Sequence, residues 1–342
     1  MNRQKIFLAA MLAVAILILI VLGTHLDLHA IQIQLRRVGF VGATVILLDL
    51  MLALLGPLLS WHLLMRADGI QIPLRTTLLS GLMGRAVNLI SPMMYFGGEG
   101  VRTFHIARVT GLPQRRILAT IVAGEFQTFA ALTAGIVAAA MVAAGSSRAH
   151  ALPIAWMISG AVGFALAVVL LFSILALGFN LVPRLLGFLM RFGILTLPLA
   201  SLKSAAADVE VAARSLMTQN KRRFFVAQLL AFTTPLAHFI LPAIFFGFLK
   251  SADAAVVQPT FSQLASVFVL IELLFAIPTT PAGLGVYEAS IIGVYKLHGW
   301  STSDAAAYAI LFRLDDVLFS ISGAIMLAHM GLTGFLKGSA DA

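Results

Sequence analysis

The sequence predicts an all-α polytopic membrane protein with about seven transmembrane helices plus two re-entrant helical hairpins in an inverted repeat. Three observations carry that expectation. Of the 342 residues 60% are hydrophobic and only 11% charged, and the mean hydropathy is +1.00, beyond what a water-soluble domain carries. Two apolar stretches are interrupted in the same way: Pro92 to Glu99, PMMYFGGE, and Pro281 to Glu288, PAGLGVYE, each open with proline, pass through glycines and close on glutamate. Broken helices at membrane depth expose backbone groups that only protein or a water-filled cavity can satisfy, so such breaks in two halves of a chain point to a transport site. Lys and Arg, finally, collect in loops that alternate along the chain, as the positive-inside tendency requires.

The elements follow in order. MNRQK precedes an apolar run from Ile6 to Gly23; the run is long for a signal core and lacks a small-x-small cleavage site, which predicts an uncleaved anchor with its N-terminus in the cytoplasm. A polar amphipathic stretch reaches Arg37, and a second span runs from Val38 to Met65 with a kink at Pro57. From Thr76 to Phe96 the chain is apolar but interrupted by Arg85, Asn88 and Pro92, then by Gly97 and Gly98. A full crossing here would place Arg102, Arg108, Arg115 and Arg116 opposite Arg66 and Arg75; a hairpin that dips in and returns keeps them together. Spans at Ile117 to Gly145 and Ile154 to Leu177 follow. Residues 180–223 are basic and amphipathic, suited either to helices on the cytoplasmic leaflet or to a solvated connector.

Phe224 to Leu249, with Pro235 and Pro242, crosses outward. Phe261 to Ile277 enters, breaks at Pro278 to Gly285 through Pro281 and Gly283, and returns as Val286 to Leu297. Ser303 to Gly331 forms the last span. This layout puts sixteen of the 23 Lys and Arg residues on the cytoplasmic side, with Arg85 and Arg313 inside the membrane. The chain divides as one integral membrane domain, 1–342: N-terminal spans (1–75), a first hairpin-plus-span unit (76–145), connecting spans (146–260) and a second unit (261–342). A shift of 189 positions places Pro92 on Pro281 and Glu99 on Glu288; a shift of 188 places Gly111 on Gly299, Ala119 on Ala307 and Glu125 on Arg313. One hairpin opens to each side, so the units are inverted.

Charges within these segments are the candidate site. Glu125 lies about eight residues into its span, roughly 12 Å deep at the helical rise, and Arg313 lies at a comparable depth in the other half. An unpaired charge there costs about 2.5–3.5 kcal/mol, so a Glu125–Arg313 contact is expected, either locking the bundle or binding substrate. Glu99 and Glu288 open the return arms of the hairpins, where a carboxylate caps free N–H groups or helps bind a lipid head group. Arg102 shares a helix face with Glu99 and pairs with it by spacing. Arg85 and Asn88 on the first entering arm, and Glu272 on the second, complete the expected lining.

Asp315 and Asp316 diverge by about 100° on a helix, so they serve Arg313 and a neighbouring helix rather than a metal. Asp49 and His62 read as satisfied polar groups. His25, His29, His105, His150, His238, His298 and His329 show no metal spacing, cysteine is absent, and no nucleotide, hydrolase or protease motif is present. Neither a metal nor another cofactor is expected, and the net charge of +9 is assigned to topology rather than to nucleic acid.

The stretch GRAVNLISPMMYFGGEGVRTFHIARVTG, with Glu125 downstream, and PAGLGVYEA with Gly299 and Arg313 behind it resemble the transmembrane flippase region of lysylphosphatidylglycerol synthetases. The matching positions are Asn88, Pro92, Gly98, Glu99, Arg102, Glu125, Pro281, Gly283, Gly285, Glu288, Gly299 and Arg313; Ser91 before the proline and Ala282 in place of a third glycine depart from the pattern. The sequence shows no soluble aminoacyltransferase domain, so the resemblance implies movement of a lipid or lipid-linked molecule across the bacterial cytoplasmic membrane, not lysyl transfer. A homodimer and a partner enzyme that makes the lipid are compatible with it. A membrane-embedded transferase or its accessory, using Glu99 or Glu288 as general base, and a carrier for a small solute are the alternatives.

Overall fold

The computed structural model describes residues 27–90, 97–145, 158–167, 211, 215, 220–276, 280 and 283–329, and within them every regular element is helical. The run from Ile6 to Gly23, nearly all of the basic linker 180–223, and Pro92, Pro278 and Pro281 fall outside the described residues.

Helix α1 spans Leu28–Ala67, opened by Asp27, whose Oδ1 accepts from the Ala30 N–H at 3.0 Å. Its backbone leaves helical geometry at Gly39 (φ 66°), so the amphipathic stretch and the span meet within one residue of the expected boundary at Val38. Pro57 is accommodated inside the helix. Next to it Gly56 allows close passage of the sixth and seventh helices: a methyl group there would overlap Thr233 and the Leu230 carbonyl.

Helices α2 (Leu74–Ile90) and α3 (Gly98–Thr110) have 17 and 13 residues, about 25 and 20 Å at 1.5 Å per residue, each short of the hydrocarbon thickness. They run antiparallel. Asn88 meets Gly98 near the tip, while Ser80, two turns back, meets the Arg102 carbonyl further along α3. Gly98 makes this possible, because any side chain there would penetrate the backbone of Gly84. Helix α4, Gln114–Ala144, is long enough to cross. Helix α5, Ile158–Ala167, is the described part of the expected span Ile154 to Leu177.

The segment expected as one outward span is two helices, α6 (Lys221–Ala231) and α7 (Thr233–Ala252), joined through Phe232. Pro235 explains the joint: it has no N–H for the Ala231 carbonyl and its ring crowds that position. Taken together, α6 and α7 are long and apolar enough to cross a membrane, as are α1 and α4.

Helix α8, Phe261–Phe275, opens on a capping box in which Thr260 and Gln263 bond reciprocally to each other's backbone N–H groups. Helix α9, Val286–Leu297, returns antiparallel to it: Phe275 stacks on Tyr287 at 3.7 Å at one end, and Ser266 bonds His298 at 2.9 Å at the other. The last span, expected as one helix from Ser303 to Gly331, is divided at Arg313 into α10 (Thr302–Phe312) and α11 (Leu314–His329).

The two parts have different neighbours. Helix α10 packs with α9 and α1, whereas α11 packs along α2, where Gly323 lies against the Leu82 carbonyl and Ala86. Helix α4 makes the reciprocal contact, placing Ile136, Ala139, Ala140 and Ala143 against Ala265, Phe268 and Val269 of α8. Thus α11 lies on α2 of the first antiparallel pair and α4 on α8 of the second. A second core, between α7, α9 and α10, is aromatic: Phe245, Phe246, Tyr295, Trp300 and Tyr308 are buried and in ring contact.

Candidate functional site

Each hairpin tip carries a glutamate that does two things at once. Glu99 Oε2 accepts from the Gly97 N–H at 2.6 Å and Glu288 Oε2 from the Gly285 N–H at 2.7 Å, so both cap the return arms, α3 and α9. The other oxygen of each accepts from an arginine: Glu99 Oε1 from Arg102 at 2.9 Å, Glu288 Oε1 from Arg313 at 2.8 Å. Local sequence produces both tips. In the second, Gly283 (φ 61°) and Gly285 (φ 79°) take the left-handed backbone that other residues avoid, and Thr280 closes the turn by donating to the Leu284 carbonyl. In the first, Asn88 Oδ1 accepts from the Gly98 N–H at 2.6 Å, so Asn88 fastens the tip of the hairpin.

Two charge clusters grow from these tips. In the first, Arg102 bridges Glu99 and, at 2.8 Å, Glu125 of α4, and its guanidinium lies over Trp61 of α1, 5.6 Å from the ring centroid. In the second, Arg313 bridges Glu288 and, at 3.0 Å, Asp316, and lies over Tyr287 at 4.6 Å. Asp316 also takes Arg85 of α2 at 2.8 Å, a contact across 231 positions that ties the halves together. The arginine side chains of the two clusters, Arg102 and Arg313, are each 12% exposed, while Glu125 is the most open member at 34%. Arg102 Nε and Arg313 Nη2 are buried and find no hydrogen-bond partner among the described residues.

The expected Glu125–Arg313 contact is not made. Arg102 lies nearer to Glu125 in the chain and pairs with it from α3, and Arg313 pairs with Glu288 and Asp316, so each of the two has a counter-charge within its own half. Arg102 pairs with Glu99 as its spacing predicts, and Asp316 serves Arg313 and a neighbouring helix as expected. Glu272 joins neither cluster. It is buried and lies 2.7 Å from His238 Nδ1. His62 is satisfied by Thr77 at 2.8 Å, but Asp49 is not satisfied as expected: its Oδ2 is buried with no partner among the described residues. Among those residues no group of His, Asp and Glu has the arrangement of a metal site.

Sequence reasoning missed Trp61, Tyr287 and His238. Nothing local marks the first two as arginine platforms, and His238 acquires meaning only from the helix packed beside it.

The model of the lysylphosphatidylglycerol synthase TM region matches residues 8–323, which include both hairpins and both clusters. The chain belongs to that family. A relative is a UPF0104 membrane protein of Methanocaldococcus jannaschii, 43% identical over 86 residues; the match covers 24% of this chain and 34% of the relative. Family membership agrees with the resemblance carried by the two proline–glycine–glutamate stretches. It establishes a membrane protein of a family linked by its name to lipid metabolism.

Proposed function

We propose that the protein is a lipid translocase of the bacterial cytoplasmic membrane, with its N-terminus in the cytoplasm and its hairpins α2/α3 and α8/α9 entering from opposite faces as an inverted repeat. The observation that supports this best is the doubling of the tip: each hairpin ends in a glutamate that caps its return arm and binds an arginine, and Arg85–Asp316 joins the two halves. Charges buried in an apolar bundle have to face protein, water or a polar guest. A phospholipid head group is such a guest, since its acyl chains stay in the bilayer while its charged groups need partners.

Charge sets what each cluster can offer. Glu99, Arg102 and Glu125 sum to −1, which suits an ammonium group at the half-buried Glu125. Partly pre-paired charges let a head group exchange one ionic partner for another without bearing full desolvation. The sequence carries no nucleotide-binding motif, so movement is passive or ion-coupled.

Reconstitution into liposomes with head-group-labelled phospholipids tests this reading. The wild type is expected to exchange label between leaflets. Glu288→Gln keeps an oxygen for the Gly285 N–H but loses the charge facing Arg313, and is expected to slow exchange at least about tenfold, equivalent to 1.4 kcal/mol on the barrier. Altered lipid composition without leaflet exchange would instead favour a transferase and overturn the proposal.

A further inference from the structure

A second polar group lies apart from the arginine clusters, in the bundle of α1, α7, α8 and α10. Glu272 of α8 is 6% exposed and hydrogen-bonded to His238 of α7 at 2.7 Å. Asp49 of α1, about ten residues past the Gly39 break, lies within electrostatic reach of His238 and keeps a buried, unpartnered oxygen. Tyr308 of α10, in ring contact with Tyr295 of α9 at 5.0 Å, lies within electrostatic reach of both carboxylates. His238, Glu272 and Tyr308 share with Ile271, Ile291 and Phe312 a partly enclosed cavity of about 10 Å³, space for one water-sized guest.

The other elements packed on this group add little charge to it. Helix α4 faces α7 with Gly135 against Pro235 and carries its carboxylate, Glu125, in the first arginine cluster. Helix α6 sends Arg223 to the Arg66 carbonyl, Glu288 of α9 is held by Arg313, and Asp304 of α10 lies one turn before Tyr308. Two carboxylates and one imidazole in apolar surroundings carry a charge of −2, −1 or 0 as they hold no, one or two protons. Low-dielectric walls favour the neutral end of that range and contact with water favours the other.

We propose that Asp49, His238 and Glu272 form a proton-binding site whose loading is linked to the state of the hairpin site. The link is structural: the His238 ring packs edge-on against Phe312 at 5.5 Å, and Phe312 immediately precedes Arg313, where the last span divides. A second proton, taken from water on one side, brings the group from −1 to neutral and lets the bundle close around it; its release to the other side restores the −1 charge. The coupling rests on the translocase reading, whereas the proton site stands without it.

The experiment has two arms on the full chain. In nanodiscs, pH-difference infrared spectra of the wild type should show a carboxylic acid C=O band that titrates, and Asp49→Asn and Glu272→Gln should each remove part of it. In phosphatidylethanolamine–phosphatidylglycerol vesicles with head-group-labelled phosphatidylethanolamine, a gradient of about one pH unit should skew the leaflet distribution by up to about tenfold if one proton moves per lipid. His238→Gln should exchange lipid but show no skew. A band unchanged in both carboxylate variants, or a skew that survives His238→Gln, overturns the proposal. A titrating band lost in the variants of a protein that moves no lipid upholds the proton site and removes the translocase reading.

Discussion

In the first half of the chain the arginine stands on the hairpin, Arg102 of α3, and reaches a carboxylate on the following span, Glu125; in the second the hairpin supplies Glu288 and the span supplies Arg313. The contact from hairpin to span is kept while its charges are exchanged. Both arginines bridge two carboxylates and both lie over an aromatic ring, Trp61 in one half and Tyr287 in the other. The clusters differ in balance. Among the described residues the first holds two carboxylates to one arginine, while the second, joined by Arg85 from the first half, holds two of each. Two units can thus place an ion pair alike without sharing which partner is which.

The largest difference should appear when each arginine is removed. Arg102→Ala leaves Glu99 and Glu125 without their shared cation, and a loss of about 2–3 kcal/mol is expected, below the 3–5 typical of a fully buried pair because Glu125 is partly screened by solvent. Arg313→Ala should cost less, about 1–2 kcal/mol, because Asp316 keeps Arg85. Thermal unfolding midpoints of the two purified variants check the order; equal losses would mean that Arg85 gives Asp316 no support.

A smaller effect sharpens the link between the halves. A double-mutant cycle on Arg85→Ala and Asp316→Asn should give a coupling of about 0.5–1 kcal/mol, since both side chains are only partly buried, at 31% and 22% exposure. A coupling near zero would show that α2 and α11 are held by packing alone, through Gly323 on the Leu82 backbone.

What could be read from the sequence was what local rules govern. The spans α1 and α4 follow from apolar runs, the tips from glycines and prolines, the caps from Glu99 and Glu288, and the Arg102–Glu99 and Arg313–Asp316 pairs from helical spacing. What could not be read depends on how distant helices meet. Arg85 finds Asp316 only because α11 packs along α2, and Glu272 finds His238 only because α7 lies beside α8. Glu125 and Arg313 were matched by position in the repeat, but position in a repeat does not imply contact when each residue has a nearer counter-charge.

The opposed orientation of the two hairpins is the claim on which the translocase reading rests, and side-specific labelling tests it most directly. The sequence has no cysteine, so Gln114→Cys after the first hairpin and Lys296→Cys near the end of the second, both at exposed positions, give single reporters. With a membrane-impermeant maleimide applied to sealed vesicles of each orientation, Gln114→Cys should label from the cytoplasmic side only and Lys296→Cys from the outer side only. Labelling of both from the same side would contradict the inverted arrangement.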